Sequence, residues 1–294
     1  MKFITFLNRN NTEHVGLITD KDEIIDVTTL GKSYSFYKSV LDIIRGEEEA
    51  LDTLNELLQF VPEEMKFKNT DEIKILAPIP NPSRNIYCVG LNYAKHTEEF
   101  SKGKEDATDY PIIFSKVPTT VIGPEADINS HANVTSEVDY EAELGVIIGK
   151  GGRDIPKDEV FDYVFGYTII NDVTARDLQR MHKQWLLGKS LDTFCPMGPY
   201  IIHKSEIDHP ENLNISCMVN EEVRQSSNTK HMIFDIPEII STISKGHTLQ
   251  AGDIIATGTC EGVGMGFEPP KYLKKGDVVE VEIEKIGILR NTVS

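Results

Sequence analysis

Three acidic residues recur at every second position in Asp139-Tyr140-Glu141-Ala142-Glu143, immediately before the apolar run Leu144-Gly145-Val146-Ile147-Ile148. Successive side chains alternate across an extended strand, so this spacing directs Asp139, Glu141 and Glu143 to one face. Ionised carboxylates held that close repel, and in a low-dielectric site such a group either keeps a proton or recruits a cation. A hard divalent ion, Mg²⁺ or Mn²⁺, prefers oxygen donors and suits this set. A solvated strand face in an acidic protein shows the same pattern, so the segment alone leaves both readings open.

A second acidic signal lies in Gly166-Tyr167-Thr168-Ile169-Ile170-Asn171-Asp172-Val173-Thr174-Ala175-Arg176-Asp177-Leu178-Gln179. An apolar strand ends at Asn171-Asp172, and a helix is expected from Thr174 to Leu187. Thr174 with Asp177 three residues on approximates a capping box, which accounts for both and leaves Asp172 spare at the end of a buried strand. Two glutamates and one aspartate leave about half of an octahedral shell open to water or substrate, as a catalytic ion requires. On the helix that follows, Arg176 and Gln179 share a side and can bind a carboxylate or carbonyl.

Further candidates flank these. His96 and Glu99 stand three apart in a helical segment, so a carboxylate can orient an imidazole that takes up a proton; an exposed helix carries such pairs as decoration too. The polar stretch from Ser101 to Asp109 suits a mobile lid. Lys189 can stabilise an enolate or carboxylate if its loop folds over the acidic site. The loop Ala256-Thr257-Gly258-Thr259-Cys260-Glu261-Gly262-Val263-Gly264-Met265-Gly266 lacks the pattern of a phosphate loop, and its glycines permit a close backbone approach to a ligand or simply a turn.

Positioning these groups requires a sizeable fold, and the chain has the length for one large or two modest domains. Residues 1–76 read as a small α/β unit. Its short strands are Lys2–Leu7, His14–Thr19 and Glu23–Val27, followed by a helical stretch carrying Val40, Ile43, Ile44, Ala50, Leu51, Leu54 and Leu57. Ala77-Pro78-Ile79-Pro80-Asn81-Pro82 interrupts regular structure and reads as a linker or entry loop. Residues 77–294 are strand-rich, with runs at Asn85–Val89, Ile112–Ser115, Glu143–Ile148, Gly166–Ile170, Leu213–Val219, Asp253–Ala256 and Val278–Ile283. Besides the Thr174–Leu187 helix, a helix is expected at Ile236–Ser244 and a turn at Lys157–Val160. Strands at irregular spacing without strict β-α alternation favour a mixed or antiparallel α+β arrangement.

The net charge of −17 argues against nucleic acid and anionic membrane surfaces as partners. Cys88, Cys195, Cys217 and Cys260 form no metal-binding or disulfide pattern. The first nine residues turn polar too soon for a secretory signal, and no apolar run approaches the ~20 residues of a membrane span, so a cytoplasmic protein is expected.

Taken in order, five segments resemble the fumarylacetoacetate hydrolase family: Val89-Gly90-Leu91-Asn92-Tyr93 with His96 and Glu99; Asp139 to Glu143; Gly166 to Asp177; Gly188-Lys189-Ser190-Leu191-Asp192-Thr193 with Pro196-Met197-Gly198-Pro199; and the Gly258-Thr259 loop. The similarity spans residues 77–294. It implies a mixed β-sandwich roll, a homodimer, and a Mg²⁺ or Mn²⁺ ion held by Glu141, Glu143 and Asp172. It also implies His96 with Glu99 as the water-activating pair and Lys189 near the substrate's oxyanion. Gln179 and Thr259 would then meet the 2-oxo acid end, and residues 1–76 correspond to the small domain of longer bacterial members. Where relatives often carry Pro after the Gly-Thr pair, this chain has Cys260-Glu261. The activity implied is cleavage of a C–C bond in a 2-oxo acid, by acylpyruvate-type hydrolysis or oxaloacetate-type decarboxylation. Dehydration of a 2-oxo-3-deoxy sugar acid, or metal-dependent binding of a 2-oxo acid without turnover, are the alternatives.

Overall fold

The computed structural model describes residues 1–30, 37–68, 73–101 and 109–294. A twelve-stranded mixed sheet dominates it. Its main path runs Lys66–Lys68, Glu23–Asp26, Glu13–Ile18, Lys2–Leu7, Cys195–His203, Val164–Asn171, Ala142–Ile148, Ile254–Thr259, Ile86–Gly90 and Ile112–Lys116. A five-stranded sheet (Glu222–Asn228, Asn214–Val219, Val278–Ile283, Gly287–Val293, Asp127–Ile128) packs over its central part.

Period-two alternation sets the layers. Ala142, Leu144, Val146 and Ile148 face the smaller sheet, where they meet Ile215, Val219, Val279, Val281 and Ile283. Ile147, Ile170, Met197, Ile201, Ile254 and Ala256 belong instead to a core with Val40, Ile43, Ile44, Ala50 and Leu54 of two helices, Val40–Arg45 and Glu47–Leu58. Ser39 starts the first of these with a complete capping box to Asp42, satisfying donors that the first turn leaves free. Lys2–Leu7 pairs antiparallel with Cys195–His203 (Lys2 with Ile202, Phe3 with Ile201), so the residue 1–76 segment extends the central sheet.

Two expectations for residues 174–187 need correction. Thr174–Ala175 is a short strand paired with Val138–Asp139, and the helix runs only from Arg176 to Met181, with a separate turn at Leu186–Lys189. No capping box forms: the Thr174 hydroxyl donates to Asp172 O, while Asp177 accepts from Thr135 Oγ1 and the Ser136 and Leu178 amides. Tertiary partners outcompete the local cap. The break lets the two helical pieces cross closely, with a Cβ on Gly188 falling 2.6 Å from the Gln179 nitrogen. The Ser101–Asp109 lid expectation falls largely on residues 102–108, which lie outside the described residues.

Candidate active site

The ends of four neighbouring strands and the helix after Asp172 converge on one small cavity. Ala142–Ile148 and Val164–Asn171 pair antiparallel in a register that sets Ala142 opposite Asn171, and so brings Glu141, Glu143 and Asp172 to the same end. The Asn171 side chain accepts from the Glu141 amide, and the Asp172 amide donates to Glu141 O. One oxygen from each of Glu141, Glu143 and Asp172 lies within 4.8 Å of the others, all three residues being buried.

Asp139 does not join them. Val138–Asp139 pairs with Thr174–Ala175, whereas Ala142 onward pairs with Val164–Asn171. The chain changes partners across Tyr140-Glu141, so the strand alternation that put Asp139 on the same face is not continuous. Its carboxylate instead accepts from Arg176 Nε (2.8 Å) and from the amides of Tyr140, Gly264 and Met265.

Cations answer the acids. Lys189 Nζ donates to Glu141 Oε2 and Asp172 Oδ2, 2.7 Å each, and Arg176 Nη1 pairs with Glu141 Oε1 at 2.7 Å. Lys116, which sequence reasoning missed, is fully buried; its Nζ donates to Asp172 Oδ1 (2.6 Å), Val173 O (3.0 Å) and Lys189 O. Its only sequence signal is a lysine closing an apolar strand. Buried Asp139, Glu141, Glu143 and Asp172 therefore face three buried cations, Lys116, Arg176 and Lys189, an excess of one acid. Glu143 carries that excess. Burial, then the charges of Asp172 and Glu141, pushes its carboxyl well up. Burial alone would raise Glu141 too, but Lys189, Arg176 and His96 bring it down to about 2. Burial also works against the Lys189 ammonium, and Asp172 and Glu141 overcome it, raising its pKa. An all-oxygen donor set with more carboxyl groups than cations in a buried site fits a hard divalent ion.

The remaining sequence candidates surround this centre. His96 and Glu99 lie on the Ala94–Ser101 helix, with Nδ1 of the buried imidazole 3.4 Å from Glu99 Oε2. His96, Arg176, Gln179, Lys189 and Thr259 line the cavity with Glu141 and Glu143. Asp172 lies beneath, bound to both lysines, and Glu99 stands behind His96. Gln179 Oε1 accepts from Arg176 Nη1, and Arg176 Nη2 is a buried donor with no hydrogen-bond partner among the described residues. Gln225, also missed from sequence, donates to Thr259 Oγ1 and Cys260 O, which leaves the Thr259 hydroxyl hydrogen free to donate elsewhere. Phe114 and Trp185 form an apolar wall, rings 5.2 Å apart, with Lys189 Nζ 5.0 Å from the Phe114 centroid.

The glycine-rich loop approaches the protein's own carboxylates. Gly258 donates to Glu143 Oε2, Gly262 to Glu99 Oε1, and Gly264 with Met265 to Asp139. A Cβ on Gly264 would meet Asp139 Oδ1 at 2.6 Å, and one on Gly266 would meet Glu99 Oε1 at 2.8 Å. Cys260-Glu261 is held by the Gln225 contact and a 3.4 Å pair between Glu261 and Lys95. Among the described residues no helix is long and apolar enough to cross a membrane.

Residues 85–294 match the family model for the fumarylacetoacetate (FAA) hydrolase C-terminal domain. The oxaloacetate tautomerase YisK of Bacillus subtilis is 45% identical over 302 residues, covering 100% of both chains. A fumarylacetoacetate hydrolase structure from the psychrophile Exiguobacterium antarcticum superposes with a TM-score of 0.85 at 42% identity, covering 100% of this chain and 99% of that one. A maleylpyruvate hydrolase from Sphingobium sp. SYK-6, in complex with manganese(II) ion and pyruvate, gives a TM-score of 0.79 at 28% identity, with 100% and 98% covered.

Proposed function

The chain belongs to the fumarylacetoacetate hydrolase family, and from that premise we propose that it is a divalent-metal-dependent enzyme acting through the enolate of a short 2-oxo diacid of the oxaloacetate type. The observation that carries this reading is the buried Glu141–Glu143–Asp172 centre, with Lys189, Arg176 and the His96–Glu99 pair around it. Those three carboxylates would hold Mg²⁺ or Mn²⁺, which when bound supplies a Lewis acid for a 2-oxo carboxylate.

The chain's own residues perform the rest. Arg176 Nη2 and the Thr259 hydroxyl are donors that a ligand carboxylate or carbonyl in the cavity can take up, and preformed donors need no reorganisation as charge develops. The Lys189 ammonium places positive charge beside the carbonyl oxygen that becomes the enolate. Glu99 holds His96 through Nδ1, leaving Nε2 to move a proton between C3 and that oxygen. In decarboxylation the C3–C4 bond breaks, CO₂ leaves, and the electron pair enters the enolate; a proton then returns to C3. Identity to the oxaloacetate tautomerase supports the same substrate class. Hydrolysis of an acylpyruvate is the second reading, favoured by the likeness to maleylpyruvate hydrolase and by the His96–Glu99 pair, which can activate water. Assembly as a homodimer is part of the proposal, with sedimentation as its measurement.

The test is turnover of oxaloacetate and of an acylpyruvate, with product analysis, in Mg²⁺, in Mn²⁺ and in chelator. Metal-dependent loss or enol–keto exchange of oxaloacetate, without acylpyruvate cleavage, is expected. His96→Ala should abolish proton exchange while sparing loss of CO₂; on the second reading it abolishes acylpyruvate hydrolysis. Turnover unaffected by complete metal removal would refute the reading.

A further inference from the structure

One carboxylate in this centre is neither a cation ligand nor a cavity wall, yet it satisfies four donors from three segments. Asp139 is wholly buried. Its Oδ1 accepts from the Tyr140 amide (2.9 Å) and the Gly264 amide (2.6 Å); its Oδ2 accepts from Arg176 Nε (2.8 Å) and the Met265 amide (3.0 Å). Arg176 is thus gripped at Nε by Asp139 and at Nη1 by Glu141 and Gln179, and its remaining nitrogen, Nη2, is buried with no hydrogen-bond partner among the described residues. A guanidinium is a planar fork, and fixing two of its corners fixes the direction of the third.

We propose that Asp139 is a positioning residue: it orients the Arg176 guanidinium so that Nη2 meets the substrate carboxylate, and it ties that arginine to the Gly258–Gly266 loop. The proposal rests on the reading of Arg176 as the substrate's carboxylate donor. The loop contributes because the same strap of amides also holds Glu99 through Gly262 and Glu143 through Gly258. Arginine, proton-transfer pair and acidic centre are therefore referenced to one piece of backbone. Gly264 leaves room for this contact, since a Cβ there would stand 2.6 Å from Asp139 Oδ1 and 2.5 Å from Lys271 O.

The test is a double-mutant cycle on the Mn²⁺-loaded protein with Asp139→Asn, Arg176→Lys and the pair combined. Two quantities are read: kcat/KM for oxaloacetate, and the Kd of oxalate by calorimetry. Asparagine keeps the volume and one acceptor but turns an N–H₂ toward Arg176 Nε and the Met265 amide. Its kcat/KM should fall about 10- to 100-fold, the range for losing a charge-assisted hydrogen bond, mostly through KM, and oxalate should weaken in parallel. Because Asp139 acts through Arg176, the double variant should be no worse than Arg176→Lys alone, within about twofold. Losses that multiply, or an Asp139→Asn protein with wild-type kcat/KM and oxalate affinity, would overturn the proposal. Should Asp139→Asn not fold, Gly264→Ala displaces the same carboxylate and enters the cycle in its place. A wild type that binds oxalate but turns over no 2-oxo acid sinks the functional reading while the oxalate cycle still reads the Asp139–Arg176 coupling. A wild type that does neither sinks both.

Discussion

Replacing Lys116 by methionine tests the charge balance on which the candidate site depends. The ammonium is fully buried, with Asp172 Oδ1 at 2.6 Å and the carbonyls of Val173 and Lys189 as its other partners. Methionine matches the length of the aliphatic stem and fills the space adaptably, so the cavity contribution is small and the electrostatic one dominates. Removing one member of a buried, hydrogen-bonded ion pair typically costs about 3–5 kcal/mol, because the other is left in low dielectric. Lys189 still covers Asp172 Oδ2, which places the expected loss at the lower end of that range. Against a total stability of ~5–15 kcal/mol this is large, and it corresponds to a fall in Tm of roughly 5–12 °C.

The same reasoning fixes the response to metal. Wild type holds four buried carboxylates against three cations; the variant holds four against two. A divalent ion at Glu141, Glu143 and Asp172 then meets less competing positive charge, so Mn²⁺ should bind the variant more tightly. An ion at 100 times its Kd stabilises the folded state by about 2.7 kcal/mol, and tighter binding enlarges that increment at fixed concentration. Scanning calorimetry of both proteins, with chelator and with a Mn²⁺ series, measures both effects. Melting within about 2 °C of wild type in chelator would show that Lys116 is not a charged partner of Asp172. Equal Mn²⁺ increments in the two proteins would refute the balance of charges instead.

Glu143→Gln should leave the melting temperature in chelator nearly unchanged, because burial and the neighbouring acids already favour the neutral carboxyl there; Mn²⁺ binding, followed by electron paramagnetic resonance, should disappear. Far from this site, burial and then the amino terminus and Lys204 depress His203 to about 4, and its Nδ1 accepts from the Ser205 amide. The unfolded chain therefore binds more protons between pH 6.5 and about 4, so this group's contribution to stability is intact above 6.5 and is lost as pH falls through that window; melting curves at stepped pH should show the loss, and His203→Gln should flatten it.

Sequence pattern reached far into this molecule where the physics is local. The Val278–Ile283 strand and the Ile236–Ser244 helix stand at their expected bounds, because period-two alternation and an Asp-Ile-Pro start signal a strand and a helix start without help from the rest of the chain. The Cys195–His203 strand was not legible. Pro196, Gly198 and Pro199 read as punctuation, yet the segment runs through the middle of the large sheet between Lys2–Leu7 and Val164–Asn171. Its register with the latter slips between Tyr167–Ile202 and Ile169–Gly198, and such an irregularity accommodates a residue that cannot donate to the ladder.

The site divides along the same line. Glu141, Glu143 and Asp172 could be picked out because acids flanking apolar strands are costly unless something answers them. What answers them was hidden. Lys116 comes from a strand three places away in the sheet from that of Glu143, beyond both Ile254–Thr259 and Ile86–Gly90, and no spacing in the chain announces the meeting. Asp139 shows the converse, a residue whose spacing was right and whose destination was not. Alternation predicts a shared face only while one ladder continues, and here the partner strand changes between Asp139 and Ala142. That change frees Asp139 to face Arg176 and the glycine loop. A fourth carboxylate beside Glu141, Glu143 and Asp172 would have added repulsion to that cluster; turned away, the same charge orients the arginine instead.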